Sequence, residues 1–319
     1  MIETGDSSPI YSVAFHPDGM HLFSGKKDGV RRWRVADGQE VGEGMRGMDL
    51  NAISVSGDHK WIVCGTNHGA SVWGTQTQEK AAVEVEGMTF VSTVDISPDS
   101  IRFATGTGGP HKEASIWNIL TGERLVGPLK HDSSGVAGIK FSPNGEHIAT
   151  LCQASIHVFD SHNGNQLIKI NNETSKGLSA VTPLAWSRNG QQIFAVSSDN
   201  KIGSFDVSTG SQLAELQVHG HSDPDCIALA SNGKFLTTFA RRSITFWDTS
   251  TLAQIGPVIK DGQSIWSIAL SLDCSHLATG GYSGNIRIRN LSNILPDSYG
   301  PFLVSILTCW ISYTSISLS

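Results

Sequence analysis

The segment IYSVAFHPDG (residues 10–19) decides the fold, because an alternating apolar run leads directly into a Pro-Asp-Gly turn. Such alternation, bounded by turn-forming residues, predicts a β-strand followed by a tight hairpin. The same pattern recurs six more times, at intervals of 40 to 45 residues. The later copies are SVSGDH (54–59), DISPDS (95–100), KFSPNG (140–145), AWSRNG (185–190), LASNG (229–233) and LSLDC (270–274).

A second marker recurs in phase with the first: a residue that is aromatic in six of the seven units, in a later strand of each unit. Its positions are Trp33, Trp73, Trp117, Phe159, Phe205, Trp247 and Arg289. A period of about 40 to 45 residues with four strands per unit is typical of propeller blades. The sequence therefore predicts an all-β, seven-bladed propeller of four-stranded antiparallel blades, with the six aromatic residues mostly buried between blades. The predicted inner strands lie near residues 10–15, 50–55, 91–96, 136–141, 182–187, 225–230 and 264–270.

The repeats resemble those of WD-repeat proteins, and the likeness rests on particular segments. They are SVAFHPDG (12–19), SIWNILTG (115–122), GERLVGPLKH (122–131) and SITFWDTSTL (243–252). The resemblance covers residues 10 to about 303 and implies a ring of blades around a central channel. The segments GPLKH and GPVIK are most similar to propeller modules of fungal multi-repeat proteins, including those attached to NACHT-type ATPases.

The resemblance also implies a buried network in each blade, formed by a His before the first strand, a Ser or Thr in the second, an Asp in the next turn and a Trp in the third. No repeat of this chain has all four residues, and only Trp247-Asp248 preserves the dipeptide that names the family. We expect incomplete networks in the first and sixth repeats. Their members are Ser24, Asp28 and Trp33 in the first, and His221, Thr237 or Thr238, and Trp247 in the sixth.

Composition narrows the function classes for this chain of 319 residues. The formal net charge of −6 disfavours a nucleic-acid partner. Five cysteines without a CxxC pair indicate neither a disulfide framework nor a zinc site. Residues 1–20 lack the pattern of a signal peptide, so we expect a cytoplasmic protein.

The sequence disfavours three kinds of site: a metal site, a phosphate-binding loop and a catalytic centre. The segment HGHSDPD (219–225) contains possible metal ligands, but His221 is better explained as the blade-fixing His of the family. The segment GTGGPHKEAS (106–115) leads into a strand, whereas a phosphate-binding loop opens a helix. No recognisable catalytic motif occurs. We therefore expect no enzyme activity, no cofactor and no metal.

Two basic pairs, Lys26-Lys27 and Arg241-Arg242, fall in turns that join second and third strands. Blades one and six are separated only by blade seven in a closed ring, so the pairs are predicted to form one basic arc. Arg32 or Arg287 would extend the arc if their side chains reach it. Guanidinium and ammonium groups bind carboxylate and phosphate oxygens strongly, so the expected partner is an acidic or phosphorylated protein or peptide.

Residues 1–303 are predicted to form the propeller, and residues 304–319 an uncharged, apolar and Ser-rich extension. GPF (300–302) resembles GPL (127–129) and GPV (256–258), which predicts a fourth strand for the last blade and ring closure from the C-terminal side. A membrane anchor is disfavoured, because serines and threonines dilute the tail and no basic cluster flanks it.

The predicted function is that of a non-catalytic scaffold that binds protein or peptide partners through its loops. The alternative is a sensor or regulatory propeller separated from a larger NACHT-type signalling protein. A third hypothesis is an enzyme with dispersed loop residues.

Overall fold

A computed structural model gives the structure of the protein. It describes residues 1–5, 7–86, 88–108, 113–131, 135–172, 183–197, 201–218 and 226–300.

The described residues form seven antiparallel sheets whose strands follow one another in chain order. The inner strands are β1 (Ile10–Phe15), β5 (Leu50–Val55), β9 (Val91–Ile96), β13 (Gly138–Phe141), β17 (Leu184–Trp186), β21 (Cys226–Leu229) and β25 (Ile265–Leu270). The second strands are β2 (His21–Lys26), β6 (Trp61–Thr66), β10 (Arg102–Thr107), β14 (His147–Leu151), β18 (Gln192–Ser197), β22 (Phe235–Ala240) and β26 (His276–Gly281).

The third strands are β3 (Gly29–Arg34), β7 (Gly69–Gly74), β11 (Ala114–Asn118), β15 (Ser155–Asp160), β19 (Lys201–Asp206), β23 (Ser243–Asp248) and β27 (Ile286–Asn290). The outer strands are β4 (Met45–Arg46), β8 (Lys80–Glu86), β12 (Arg124–Leu129), β16 (Gln166–Asn171), β20 (Gln212–Gln217) and β24 (Gln254–Lys260). Two short 3-10 helices follow β27, at Leu291–Asn293 and Asp297–Tyr299. The prediction of seven blades is confirmed, with every inner strand within two residues of its predicted bounds.

Apolar side chains from adjacent blades interlock to form the core. Between blades one and two, for example, Phe23 packs in one cluster with Leu50 and Ile62, and all three are at most 2% exposed. The sheets approach closely here, since a Cβ atom on Gly25 would lie 2.0 Å from Cδ2 of Leu50. A larger residue at position 25 would therefore force the buried side chain of Leu50 to move.

Five of the six third-strand aromatic residues are buried as predicted: Trp33, Trp117, Phe159, Phe205 and Trp247. Trp73 is only partly buried, so the prediction was wrong in degree for this residue. Blade one, which lies next to the blade of Trp73, has an outer strand of only two residues, Met45–Arg46. Trp73 is one of the residues that line a groove of about 960 Å³ beside that strand.

The ring closes through the beginning of the chain. Ile2 pairs with Ile286 of β27 by two backbone hydrogen bonds, of 2.8 and 3.1 Å, and is 4% exposed. Within residues 226–300, blade seven has three strands of its own, and residue 2 occupies the place beside β27. Residues 301–302 and the 304–319 extension lie outside the described residues, as do residues 109–112 and 219–225. No helix in the described ranges is long and apolar enough to cross a bilayer.

Candidate functional site

The two ends of the blades carry different connections, because the strands of each blade alternate in direction. We call one end the upper face, formed by the turns between second and third strands and by the loops that link blades. The lower face is formed by the turns between first and second strands and between third and fourth strands. Loops held on a rigid scaffold are where recognition usually occurs.

The basic residues expected on the upper face differ in their exposure. Lys27, Arg241 and Arg242 are exposed. Lys26 is fully buried, so the expectation that it belongs to an exposed basic pair was wrong. It is the last residue of β2, and its ammonium group donates a hydrogen bond to Oγ1 of Thr4 beneath the N-terminal segment.

The two arginines considered as extensions of the basic arc have other contacts. Arg32 reaches the opposite end of the blade, where Nη1 lies 3.3 Å from the carbonyl oxygen of Thr75. Arg287 stays near the upper face, but its Nη1 forms an ion pair of 3.1 Å with Asp261. The exposed basic residues of the arc are therefore Lys27, Arg241 and Arg242.

An aromatic cluster lies between the two basic turns, on blades seven and one. The ring of Trp266 is 5.4 Å from that of Tyr11 and 6.0 Å from that of Tyr282. Tyr282 is 65% exposed, and the other two rings are partly buried. We call these three residues the aromatic cluster. Tyr11 and Trp266 occupy the same place in β1 and β25, the second residue, where each strand has an irregularity in its pairing.

Backbone contacts connect the cluster to both basic turns. The amide of Ile265, next to Trp266, donates to the carbonyl of Arg241 over 2.7 Å. On the other side, Ile10 of β1 pairs with Lys26, which precedes Lys27. Around the ring, the order is therefore the arginine turn, the aromatic cluster and Lys27.

The aromatic cluster was not among the predictions from the sequence, although the sequence carries a signal for it. The inner strands IYSVAF (10–15) and IWSIAL (265–270) both place a large aromatic residue second. The equivalent residues of blades two and three are the polar Asn51 and Ser92. A comparison of inner strands at this position would have singled out blades one and seven.

A buried ionic network replaces the aromatic residue in blade seven. Arg289 stands at the third-strand position, and its Nη2 is 2.7 Å from Oδ2 of Asp261, whose side chain is fully buried. Thr279 donates to the same oxygen over 3.0 Å. Arg287 binds the other carboxylate oxygen. Asp261 therefore occupies the loop position where the family has its His, and the sequence analysis did not identify it.

The expected blade networks are present in part. The indole N–H groups of Trp33, Trp117 and Trp247 donate to a Ser or Thr of the second strand, over 2.8 to 3.1 Å; the acceptors are Ser24, Thr105 and Thr238. Asp28 was expected to join the first network, but its side chain is 63% exposed and lies 3.5 Å from Arg31. The turn directs it to solvent, so that assignment was wrong. His221 lies outside the described residues.

Asp248 caps the turn after β23. Its Oδ1 accepts hydrogen bonds from the backbone and hydroxyl groups of Ser250 and Thr251, and its Oδ2 accepts one of 2.7 Å from the Tyr299 hydroxyl. Burial alone would raise the pKa of this carboxyl group. The hydrogen bonds from Ser250, Tyr299 and Thr251 outweigh burial and hold the pKa well below its usual range.

Comparisons with known proteins agree with this architecture. Residues 2–30, 123–160 and 256–290 match the family described as WD domain, G-beta repeat. The chain is similar to eukaryotic translation initiation factor 3 subunit I of Emericella nidulans, with 24% identity over 301 residues that cover 90% of this chain and 76% of that protein. The same subunit of Aspergillus terreus is 26% identical over 221 residues, or 66% of this chain. The match spans 62% of the length of that relative.

A solved structure shows the same fold. Hydrazine Synthase from Kuenenia stuttgartiensis superposes with a TM-score of 0.79 over 91% of this chain and 97% of that chain, at 16% identity. At this identity the likeness concerns the fold alone. The seven blades, the indole–hydroxyl pairs and the three matched segments lead to one conclusion: the chain is a WD40-repeat β-propeller protein with distant homology to subunit I of eukaryotic translation initiation factor 3.

Proposed function

We propose that this propeller is a non-catalytic scaffold that binds an acidic or phosphorylated segment of a partner protein across the upper face of blades six, seven and one. The observation that carries the proposal is the aromatic cluster between the arginine turn and Lys27. WD40 propellers are typically protein-binding scaffolds and are generally non-catalytic.

The residue types of this surface match those that dominate protein interfaces. Trp, Tyr and Arg are the residues most enriched among those whose truncation weakens binding strongly. The ring of Trp266 contacts Tyr11 and Tyr282, so its position is held before a partner arrives. Pre-organised anchors lose little conformational entropy on binding. Arg241 and Arg242 would then pair with carboxylate or phosphate oxygens beside the aromatic anchor.

The names of the relatives support a scaffold rather than an isolated enzyme. The matched proteins are called subunits of a translation initiation factor. From these names we extend to this chain only the general role of a cytoplasmic subunit that binds other proteins. The alternative, a regulatory propeller of a larger NACHT-type protein, rests on GPLKH (127–131) and GPVIK (256–260). It would use the same upper face, but in contact with other domains of its own chain.

The experiment measures binding of acidic and phosphorylated peptides by fluorescence anisotropy. We expect Arg241→Glu/Arg242→Glu and Trp266→Ala each to weaken the best peptides by at least about tenfold, as loss of an interface anchor does. A matched control reverses two exposed charges of the lower face, Arg34→Glu/Lys60→Glu, and should leave affinity unchanged.

Salt separates the two contributions to binding. Exposed charges are screened beyond about 8 Å at physiological ionic strength, so the effect of the arginine substitutions should shrink in higher salt. The effect of Trp266→Ala should persist, because it removes apolar contact area. Equal affinity of wild type and both upper-face variants would contradict the proposal.

A further inference from the structure

Three metal-ligating side chains converge in the first turn of blade one, on the lower face. His16, Asp18 and His21 each offer one ligand atom, and these atoms lie within 4.8 Å of one another. Oδ2 of Asp18 is 2.9 Å from Nδ1 of His16 and 2.7 Å from Nδ1 of His21. The side chain of His16 is 3% exposed, while those of Asp18 and His21 are 19% and 17% exposed.

Both ring nitrogens of His16 have polar neighbours. Its Nε2 lies 3.4 Å from the carbonyl oxygen of His59, which can only accept a hydrogen bond. Its Nδ1 lies 3.3 Å from the backbone nitrogen of Asp18 and 2.9 Å from the carboxylate oxygen Oδ2 of the same residue. A proton or a metal ion must therefore lie between Nδ1 and this oxygen.

The other blades show that this arrangement is not required by the turn. Five blades have a serine at the position of His16: Ser56, Ser97, Ser142, Ser187 and Ser271. Each serine hydroxyl accepts the backbone N–H five residues later, over 2.8 to 3.0 Å.

In blade one, the carboxylate of Asp18 performs that structural role instead. Its Oδ1 accepts the backbone N–H groups of Met20 and His21, over 2.8 and 3.1 Å. The second oxygen, Oδ2, is thereby left to face the two imidazole rings. The Asp18 carboxylate thus replaces the capping hydroxyl of the other blades, and this capping role does not account for two histidine rings around its second oxygen.

We propose that His16, Asp18 and His21 bind a divalent transition-metal ion, with Zn²⁺ as the ion that fits the ligand set. Two imidazole nitrogens and one carboxylate oxygen are ligands typical of zinc, whereas Mg²⁺ and Ca²⁺ prefer oxygen ligands throughout. Ligand atoms about 2.0 to 2.1 Å from a tetrahedral ion are about 3.3 Å apart, so Oδ2 must move by roughly half an ångström. Solvent can supply a fourth ligand beside the partly exposed Asp18 and His21.

The His59 carbonyl adds the outer contact that metal-bound histidines usually have. A ligating imidazole commonly donates its second ring N–H to a carbonyl or carboxylate, which fixes its orientation. Because His59 belongs to blade two, a bound ion would link the first turns of two adjacent blades. No metal site was expected from the sequence, because His16, Asp18 and His21 become a ligand set only when the turn brings them together.

The test uses the untagged full chain after treatment with a chelator. Co²⁺ is titrated and followed by its visible absorption, and Zn²⁺ binding is measured by calorimetry. We expect one ion per chain at this site. His16→Ser and Asp18→Asn should each lower the affinity for the ion at least about tenfold. Loss of an outer contact of a ligand already lowers metal affinity by about 10- to 100-fold, so loss of a ligand should lower it at least as much. His16→Ser introduces the residue of five other blades, and Asp18→Asn keeps the oxygen that caps the turn.

The matched control is His276→Ala in blade seven. His276 follows Asp273 as His21 follows Asp18, but Ser271 stands in place of His16. We expect His276→Ala to bind Zn²⁺ with the affinity of wild type. Zn²⁺ should raise the melting temperature of wild type and of His276→Ala, but not that of His16→Ser. The proposal is overturned if wild type binds no ion, or if His16→Ser binds as tightly as wild type. Either result leaves the upper-face proposal intact, because the two sites lie at opposite ends of the blades.

Discussion

Replacement of Asp261 by Asn should destabilise the protein by about 3 kcal/mol. The substitution preserves shape but removes the carboxylate that contacts both Arg289 and Arg287 in blade seven. Breaking a buried ion pair from one side costs about 3 to 5 kcal/mol, because the other charge remains buried. Arg289 is 16% exposed and should account for most of this loss. Arg287 is 33% exposed, so water can replace much of its contact, and its share is at most about 1 kcal/mol.

A double-mutant cycle isolates the interaction. Asp261→Asn, Arg289→Met and the double variant are compared by urea unfolding. Replacing both partners leaves no uncompensated buried charge, so the double variant should be less destabilised than the sum of the single variants by about 0.5 to 3 kcal/mol. The losses should change little in 1 M NaCl, because buried pairs are screened weakly. A loss below about 1 kcal/mol for Asp261→Asn, or strict additivity, would refute the reasoning.

Three further predictions concern stability. Trp247→Ala should destabilise by about 3 to 5 kcal/mol in urea melts, because the ring is 4% exposed; a loss below about 1 kcal/mol would contradict its core assignment. Ile2→Ala should destabilise by about 2 kcal/mol or more, since this buried residue closes the ring on β27; an unchanged melting temperature would argue against that closure. Asp248→Asn should be most destabilising at neutral pH. Because the pKa of the carboxyl group is lowered in the folded state, its contribution to stability is complete above the ordinary pKa of 3.8 and is progressively lost below it. The difference in melting temperature between wild type and Asp248→Asn should therefore narrow at pH 3. A difference that stays constant with pH would exclude this origin.

The fold could be predicted because its signals are local and repeated. Each hairpin turn contains Pro, Gly, Asp or Asn next to an alternating strand, and seven copies in phase leave few alternatives. Strand bounds followed directly from those turns. The likeness of GPF (300–302) to the outer strands predicted closure from the C-terminal side, and residues 301–302 lie outside the described residues. Ile2 stands in no repeated pattern that would reveal its partner Ile286.

The candidate sites were less predictable, because they depend on which side chains neighbouring blades bring together. Lys26 and Lys27 are adjacent in sequence, yet the first ends the buried strand β2 and the second lies in the exposed turn that follows. The contact of Trp266 with Tyr11 joins residues at opposite ends of the chain. Asp261 and Arg289 are 28 residues apart in the sequence, and only the folded blade brings their side chains together.

The pairing of the N-terminal segment with blade seven delays completion of the fold until late in translation. Thr4 donates a hydrogen bond to Gly284, which is 280 residues further along the chain. At about 5 to 20 residues per second, its partner is translated roughly 14 to 56 s later. Until then, β1 lacks the β25 contacts that it has in the complete ring, and the buried face of Ile2 remains uncovered. We therefore expect nascent chains to need protection of this segment for most of the translation time, and the propeller to become resistant to proteolysis only after blade seven has emerged.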